Sequence, residues 1–445
     1  MSAAASRRRL LVLGAAGRDF HDFLTLWRDD PAVEVVAFTA AQIPGIASRT
    51  FPASLAGPLY PNGIAIEPED ALAALCEKHG VHEVVFAYSD VPHAHVMHLA
   101  SRALAAGCDF SLAGPRTMLT ARRPVIAVSA VRTGCGKSQV ARWIAARLRA
   151  RGIAVAVLRH PMPYGDLASQ RCQRFATRDD LARAQVTIEE REEYEPYVAQ
   201  GCPVFAGVDY AQILRAAEAE AQVLLWDGGN NDFPFVRPGL HIVLADALRP
   251  GQVATHHPGE AVARMADLFV IAKSDAAGEL RCAQVEAALA ELAPHVPRLR
   301  GASPVTLDDA ARVRGKRVIV VEDGPTLTHG GMAHGAGTVA AQLAGAREIV
   351  DPRPYAPPAL ARELARFPHL GPVLPALGYS AEQRAELLQT LDATPADLIV
   401  AGTPIDLAQV LRPRLPIVRA RYEYAETSEP GLGAVVDAYV ARALA

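Results

Sequence analysis

Residues 129–140, SAVRTGCGKSQV, combine a glycine-containing loop with a lysine and a serine, directly after the apolar run 124–128. Glycine permits backbone conformations in which successive N–H groups point at one anion, and a helix starting near Lys137 would add the positive end of its dipole. In such a loop the lysine reaches the β- and γ-phosphates of a nucleotide, and the serine hydroxyl binds Mg²⁺. The sequence therefore predicts a nucleotide site made by Thr133, Gly134, Cys135, Gly136, Lys137, Ser138 and Gln139.

Two residues of this loop lead to predictions of their own. The usual pattern GxxxxGK[ST] has glycine where this chain has Val131, and the next residue is Arg132. A guanidinium there could neutralise charge on a transferred phosphoryl group, or it could face solvent or pair with a carboxylate. Cys135 lies at a helix start beside Lys137, which predicts a thiol of lowered pKa unless the side chain packs inward.

The segment 223–233, VLLWDGGNNDF, has the pattern of a buried strand that ends in a carboxylate. Ligands of open α/β sheets bind at the carboxyl ends of the strands, so Asp227 is predicted to hold Mg²⁺ together with Ser138. Gly228 and Gly229 would allow the backbone to approach a γ-phosphate. The alternative is a strand that simply ends in a polar turn.

The segment 268–275, LFVIAKSD, is similar to the base-recognition segment of GTPases. The stem of Lys273 could cover a purine, and Asp275 could accept hydrogen bonds from guanine. Ala272 stands where asparagine or threonine is usual, which leaves the base open. We expect ATP, with GTP as the alternative.

Further polar residues follow predicted strands at places where a scaffold does not require them. Arg159 and His160 come directly after the strand that follows the loop helix, and they are predicted to be catalytic together with Lys137, Arg132 and Asp227.

Two glycine-containing loops, 14–17 (GAAG) and 322–337 (EDGPTLTHGGMAHGAG), are predicted to hold anions with their backbone N–H groups. The first lacks the third glycine of a dinucleotide-binding fingerprint, so a phosphate or carboxylate is expected there. The residues predicted to contact substrate are Arg18, His257, Glu260, His329, Gly330 and Gly331.

Composition narrows the class of protein. A formal net charge of −3 over 445 residues provides no basic surface for nucleic acid. No apolar run is long enough to span a membrane, and six scattered cysteines without a CxxC pair fit a reducing cytoplasm. The chain has four lysines against 41 arginines, and two of those lysines, Lys137 and Lys273, lie in the predicted nucleotide site.

Apolar runs alternate with helical patterns along the chain, which predicts an α/β fold with mostly parallel sheets. The predicted strands are 10–13, 33–38, 84–87, 125–129, 154–158, 223–226, 241–244, 268–271, 318–321, 397–400 and 416–418. Predicted domain limits are 1–123 for a Rossmann-like N-terminal domain, 124–348 for a P-loop core domain and 349–445 for a small C-terminal α/β region.

Several segments together resemble the cyclic 2,3-diphosphoglycerate synthetase family and its bacterial members within the P-loop NTPase superfamily. They are GAAGRDFHDF (14–23), FTAAQIPGI (38–46), YSDVPHAHVMHLASRALAAG (88–107), RTGCGKS (132–138), LRHPMPYGDL (158–167), AKSD (272–275), EDGPTLTHGGM (322–332) and GTPIDL (402–407). The resemblance implies an ATP- and Mg²⁺-dependent ligase that is a cytoplasmic homodimer. Its substrate would be a small polyphosphorylated acid, on which it forms an intramolecular phosphoanhydride with release of ADP and phosphate.

A second function from another class fits the same motifs. A P-loop GTPase or ATPase could act as a regulatory or metal-insertion switch, in which hydrolysis drives a conformational change. Strong stimulation of nucleotide turnover by a small acid would favour the ligase over the switch.

Overall fold

The computed structural model describes residues 7–41, 46, 48–160, 165–328, 330–376 and 381–445. They form three successive α/β units, each built on its own sheet.

The N-terminal unit contains a sheet of six strands in the order β3-β4-β2-β1-β5-β7. Its elements are β1 (Arg8–Leu13), α1 (Arg18–Asp22), β2 (Val33–Ala40), β3 (Thr50–Phe51), α2 (Ala53–Ala56), β4 (Ile64–Pro68), α3 (Leu72–His79), β5 (Glu83–Phe86), β6 (Val91–Pro92), α4 (His93–Ala105) and β7 (Asp109–Leu112). All pairs except that of β3 with β4 are parallel. Strand β6 lies outside this sheet and pairs with the middle unit.

The middle unit contains a sheet of nine strands in the order β10-β11-β9-β12-β8-β13-β15-β16-β23. Its elements up to residue 302 are β8 (Val125–Ala130), α5 (Lys137–Ala150), β9 (Val155–Arg159), β10 (Gln173–Phe175), α6 (Arg178–Arg183), α7 (Ile188–Ala199), β11 (Val204–Ala206), α8 (Tyr210–Glu220), β12 (Val223–Asp227), β13 (Leu240–Asp246), β14 (His256–His257), α9 (Gly259–Arg264), β15 (Leu268–Ala272), α10 (Ser274–Ala277), α11 (Glu279–Leu292) and β16 (Arg298–Ala302).

The third unit contains a sheet in the order β17-β22-β21-β18-β19, with β20 also paired to β18. Its elements are β17 (Val305–Leu307), α12 (Ala310–Val313), β18 (Arg317–Glu322), α13 (Gly324–Thr328), α14 (Ala336–Leu343), β19 (Glu348–Ile349), α15 (Pro358–Leu364), β20 (Leu374–Pro375), α16 (Ala381–Ala393), β21 (Leu398–Gly402), α17 (Leu407–Val410) and β22 (Ile417–Tyr422). The chain then returns to the middle unit through β23 (Ala425–Glu426) and α18 (Leu432–Leu444). Tyr439 of α18 donates a hydrogen bond to the carbonyl of Val125, 3.2 Å away.

The parallel register of the middle sheet positions the functional residues. Strand β8 lies between β12 and β13, β9 flanks β12, and β15 flanks β13. Their carboxyl ends therefore share one edge, where ligands bind in open α/β sheets. The phosphate loop, Arg159, Asp227, Asp246 and Lys273 all lie at that edge.

All eleven predicted strands are present, with shifts of at most a few residues. The change of sheet between β7 and β8 falls next to residue 124, where the middle domain is predicted to begin. The predicted limit after residue 348 falls inside the third sheet, because β18 pairs with β21 across it. In sheet topology the third unit begins at Val305, and the division of the chain into independently folding domains stays a prediction.

Within the described part of the chain, no helix has the length and apolar character needed to cross a bilayer.

Candidate active site

The loop between β8 and α5 has the geometry of a phosphate-binding loop. Gly134 (φ +81°) and Gly136 (φ +100°) adopt left-handed backbone conformations, which glycine accepts without strain. Helix α5 begins at Lys137, so its N-terminal end faces the loop. Burial lowers the pKa of Lys137 below its ordinary value, and the charge of Asp227 opposes that shift.

The side chain of Cys135 lies in the hydrophobic core and not in the phosphate site. Cys135 is 0% exposed and packs in the core of the middle unit. Burial raises the pKa of its thiol, and the nearby charge of Arg249 only partly offsets this. The prediction of a lowered pKa is therefore wrong, because a phosphate loop presents the backbone of this residue and not its side chain.

Asp227 and Ser138 lie together at the end of β12. The Ser138 hydroxyl is 3.4 Å from Asp227 Oδ1, and the Tyr197 hydroxyl donates to Asp227 Oδ2 at 2.7 Å. Arg159 forms ion pairs with both Asp227 and Glu193 of α7 and is 1% exposed. One serine oxygen and one carboxylate oxygen are the donor types that Mg²⁺ takes from proteins. Among the described residues no cluster of three His, Cys, Asp or Glu side chains could hold a metal, so its other ligands would come from phosphate and water.

Arg132 has a structural partner on the N-terminal unit. Its Nε donates to Asp90 Oδ1 at 2.7 Å, and its Nη1 donates to Gln252 Oε1 at 2.6 Å. Asp90 Oδ2 also accepts from the backbone N–H of Thr133, at 3.3 Å. In this conformation the guanidinium links the phosphate loop to the N-terminal unit and does not line the cavity described below. This is the carboxylate-paired alternative, and a phosphoryl-stabilising role stays a prediction.

Three charged residues behind the loop fix its backbone. Lys273 Nζ lies 2.7 Å from both the Gly134 carbonyl and Asp246 Oδ2. Arg249 donates to Asp246 at 3.0 Å and to the Thr133 carbonyl at 2.7 Å, and it reaches the Gly330 carbonyl of the third unit at 3.2 Å. Lys273 therefore supports the loop through its ammonium group, and its stem lines the cavity.

The anion predicted for loop 14–17 is supplied by the chain itself. Asp19 Oδ1 accepts the backbone N–H groups of Ala16, Gly17 and Phe20 at 2.9, 3.0 and 2.7 Å. Burial raises the pKa of Asp19 to about 6, against the opposing effect of these hydrogen bonds. This carboxylate uses the N–H groups that an external phosphate would need.

The same arrangement occurs in the loop 322–337. Glu322 accepts the backbone N–H groups of Gly335, Gly337 and Thr338 at 3.0, 2.9 and 2.8 Å, and also the Thr338 hydroxyl at 2.8 Å. Glu322 is 0% exposed. The N-terminal end of α14 is thus occupied by a carboxylate from β18, and the prediction of an external anion there is not supported.

The predicted substrate residues Arg18, His257 and Glu260 and the predicted catalytic residue His160 separate into two groups. Arg18 and His160 line the cavity, and both approach Asp232, with Arg18 Nε 2.6 Å from Oδ1 and His160 Nε2 3.6 Å from Oδ2. A Cβ atom at Gly17 would lie 2.1 Å from His160, which explains the glycine. His257 and Glu260 lie away from the cavity: the ring of His257 packs 5.4 Å from that of Phe86, and Glu260 pairs with Arg264 at 2.7 Å.

The remaining predicted residues lie at the edge of the site or beyond it. Gly330 accepts from Arg249 but does not line the cavity, nor does Gly331, whose φ is +65°. Asp275 is exposed, and its Oδ1 accepts the backbone N–H of Ser303 at 2.9 Å. His329 lies outside the described residues.

A cavity of about 330 Å³ connects these elements at the meeting point of the three units. The phosphate loop forms one side of it. Its carboxylates are Asp19, Glu189, Glu192, Glu193, Asp232, Glu322 and Asp323, and its arginines and lysines are Arg18, Lys137, Arg142 and Lys273. Acidic groups therefore outnumber basic ones around a space that opens onto a phosphate site.

We call Glu192, Glu193 and Asp323 the acidic wall. Burial raises the pKa of Glu192 well above its ordinary value, and the charge of Asp323 adds to this. Burial also raises the pKa of Glu193, against the charge of Arg159, and Glu193 lies within range of the charge of Lys137. The acidic wall and the phosphate loop are thus adjacent parts of one site.

Sequence reasoning missed this wall. The glutamates of α7, in IEEREEYEPYVA, have the composition of a solvated helix face. Glu189, Glu190, Glu192 and Glu195 are nevertheless buried. The available signal was the excess of carboxylates in one helix with a single arginine to pair with them, together with the capping box of Thr187 and Glu190 that fixes its start.

Fold and site define the class: an α/β protein with a phosphate-binding loop that forms one side of a cavity lined by carboxylates. Over 436 residues the chain is 52% identical to the arginine synthetase ArcE of Thermococcus kodakarensis, and the match covers 98% of this chain and 97% of that protein. The chain belongs to the family of this arginine synthetase, and it is an enzyme of the synthetase type. The prediction of a synthetase is thereby confirmed, but this relative is not named a cyclic 2,3-diphosphoglycerate synthetase.

Other comparisons add less. No family model matches the chain. The solved structure of LpxK from Aquifex aeolicus, in complex with ATP, is 14% identical and covers 73% of this chain and 90% of its own, with a TM-score of 0.44. The hydrogenase maturation factor HypB from Archaeoglobus fulgidus is 14% identical and covers 40% of this chain and 80% of its own, with a TM-score of 0.27. At these TM-scores neither likeness defines the fold by itself.

Proposed function

We propose that this enzyme is an ATP-dependent arginine synthetase that completes the guanidinium group of arginine. The observation that carries the proposal is that the phosphate loop and the acidic wall line the same cavity. The chain is also 52% identical to an arginine synthetase. A phosphate loop suits the nucleotide, and carboxylates suit a substrate or product that carries a cationic nitrogen group.

The proposed chemistry follows from the difference between arginine and its precursor citrulline. Citrulline carries a ureido oxygen where arginine carries its terminal nitrogen. In the proposed reaction that oxygen forms a bond to the γ-phosphorus of ATP, the bond to the β,γ-bridging oxygen breaks, and ADP leaves. An ammonia nitrogen then forms a bond to the ureido carbon, the carbon–oxygen bond breaks, and inorganic phosphate leaves with that oxygen.

The residues at the phosphate end have distinct tasks in this scheme. Lys137 and the N-terminal end of α5 bind the β- and γ-phosphates and neutralise charge during transfer. Ser138 and Asp227 Oδ1 would hold Mg²⁺, which supplies further neutralisation of the phosphates when bound. Arg159 fixes Asp227 and Glu193 relative to each other. Nothing covalent is required of the protein, since positioning and charge suffice.

ATP is proposed in preference to GTP. The carboxylate expected to recognise guanine, Asp275, is engaged by the Ser303 N–H at 2.9 Å. Ala272 also lacks the side-chain oxygen and nitrogen that an asparagine would offer to the base.

Magnesium dependence provides one test. In Asp227→Asn we expect the Mg²⁺ concentration at half-maximal turnover to rise about tenfold or more, because the metal loses its one protein carboxylate. Asp246→Asn is the matched control: Asp246 is also buried at the carboxyl end of a strand of the same sheet, β13, but contacts Lys273 and Arg249. Its rate should fall without a shift of the Mg²⁺ midpoint, and equal midpoints for both variants would contradict the assignment of Asp227.

The alternative product is a cyclic phosphoanhydride on a polyphosphorylated acid. That substrate needs anion-binding positions beyond the nucleotide's own. The two loops predicted to supply them hold Asp19 and Glu322 instead, which supports the arginine reaction in its place.

The decisive experiment follows an oxygen atom. Purified enzyme is incubated with MgATP, ammonium and citrulline labelled with ¹⁸O in the ureido group, and the products are analysed by mass spectrometry. We expect arginine and phosphate in equal amounts, with one ¹⁸O in each phosphate. Phosphate release without arginine, or stimulation by 2,3-diphosphoglycerate and not by citrulline, would reject the proposal.

A further inference from the structure

Among the described residues, one carboxylate oxygen of the acidic wall receives no hydrogen bond from a protein donor. Glu192 lies on α7, is 3% exposed and lines the cavity. Its Oε1 accepts a hydrogen bond from the Thr403 hydroxyl. Its Oε2 is buried, receives no hydrogen bond from a donor of the described residues, and lies against the carboxyl group of Asp323, with which it can share a proton. A buried carboxylate oxygen in that state is costly unless a ligand or a proton completes it.

The surroundings of Glu192 favour a cation. The charge of Asp323 acts on Glu192 and also on Glu193. Glu193 is paired with Arg159, but within the described ranges no arginine or lysine lies at ion-pair distance from Glu192 or Asp323. Asp323 Oδ2 accepts the Thr326 N–H at 3.3 Å and the Thr326 hydroxyl at 2.5 Å, neither of which carries charge. Two carboxylates that share a buried site are stabilised either by a proton shared between them or by a cation that replaces that proton.

We propose that Glu192 and Asp323 bind the nitrogen donor of the reaction as an ammonium ion, and that Glu192 Oε2 accepts its proton. This inference rests on the proposed arginine synthesis and assigns a position to its third substrate. The ammonium nitrogen gives one proton to Glu192, and the electron pair thus freed forms the bond to the activated ureido carbon. As the carbon–oxygen bond breaks, its electron pair leaves with the phosphate. That phosphate also takes a second proton of the nitrogen, and the guanidinium keeps one positive charge.

Two features assign this role to Glu192 and not to Glu193. Both line the cavity, but the carboxylate of Glu193 is committed to Arg159, which holds Asp227 as well. Glu192 forms no ion pair with an arginine or lysine of the described residues, and its Oε2 lies against Asp323. Burial and the charge of Asp323 raise the pKa of Glu192, so its carboxylate binds a proton more strongly than an exposed glutamate does. The charges of both Asp323 and Lys137 act on Glu193, so the ammonium position adjoins the phosphate end of the site.

The first test measures the KM of Glu192→Gln for ammonium and its KM for citrulline separately. A glutamine can still accept from the Thr403 hydroxyl, so the fold should be retained. We expect the KM for ammonium to rise about tenfold or more and kcat to fall, while the KM for citrulline changes less than about twofold. Glu195→Gln is the matched control, since Glu195 is a buried glutamate of the same helix that pairs with Arg191 and does not line the cavity. An unchanged KM for ammonium in Glu192→Gln, or a rise confined to citrulline, would overturn the assignment.

A second test is independent of arginine formation. Ammonium chloride should raise the melting temperature of the wild-type enzyme relative to equal concentrations of tetramethylammonium chloride, because a ligand of the native state stabilises it by mass action. This difference should disappear in Glu192→Gln and persist in Glu195→Gln. If the enzyme makes no arginine but keeps a Glu192-dependent response to ammonium, the reaction is wrong and the ammonium position stands. If it makes arginine with neither effect of Glu192→Gln, the position is wrong and the reaction stands.

Discussion

Lys137→Ala should reduce turnover about 10³-fold or more while the protein remains folded, because the lysine acts on charge that develops during phosphoryl transfer. Lys137 is 8% exposed, and burial lowers the pKa of its ammonium group. A lowered folded-state pKa means that the charged lysine is disfavoured by folding, so its removal should cost little stability at neutral pH. Asp227 keeps its ion pair with Arg159 in the variant.

The measurement pairs arginine formation with calorimetric titration of MgATP. Lys316→Ala serves as control, because Lys316 is an exposed lysine of the third unit. It should leave both quantities unchanged. Turnover in Lys137→Ala above about a tenth of the wild-type value would mean that this loop is not the site of phosphoryl transfer.

The phosphate end of the site could be predicted from sequence because it is encoded locally. A strand, two glycines and a helix start encode the phosphate loop of residues 131–137 within one short segment, although Lys273 and Arg249 support its backbone from elsewhere in the chain. Asp227 could be predicted for a related reason. An apolar run that ends in a carboxylate identifies both the strand and the edge of the sheet at which the strand ends.

Other parts could not be predicted, because residues distant in sequence determine them. The glycines near residues 17 and 335 correctly indicated backbone N–H groups available to an anion. Sequence alone did not show that Asp19 and Glu322 would supply that anion. The pairing of Arg132 with Asp90 and Gln252 depends on how the N-terminal unit docks on the middle unit.

The acidic wall was the largest omission. Glutamates in a helix are usually solvated, and their burial in α7 depends on the third unit covering that helix. Thr403, which follows β21, contacts Glu192 across 211 residues of sequence. A long-range contact of this kind leaves no local pattern. The feature on which the proposal of an arginine substrate or product rests was therefore hidden in the part of the site that sequence patterns do not encode.

Glu322→Ala should destabilise the protein by about 4 kcal/mol or more, because the substitution leaves several buried donors without an acceptor at once. Glu322 is 0% exposed and accepts four hydrogen bonds from Gly335, Gly337 and Thr338. A Cβ atom on Gly402 would lie 2.2 Å from Glu322 Oε2, so the surrounding chain is built closely around this carboxylate.

Glu322→Ala should lower the local stability of α14 as well as the stability of the whole protein. Without the carboxylate, the backbone N–H groups in the first turn of α14 have no hydrogen-bond acceptor, and no negative charge complements the helix dipole. Hydrogen exchange should therefore accelerate first in residues 335–339, which include the cavity-lining Gly335, Ala336 and Val339. Glu348→Ala is the matched control, because Glu348 lies on β19 of the same sheet and forms an exposed pair with Arg317. It should change stability by less than about 1 kcal/mol. If Glu322→Ala and Glu348→Ala unfold at the same temperature, an external anion must be stabilising α14 in place of Glu322. The loop 322–337 would then be open to a phosphorylated substrate after all.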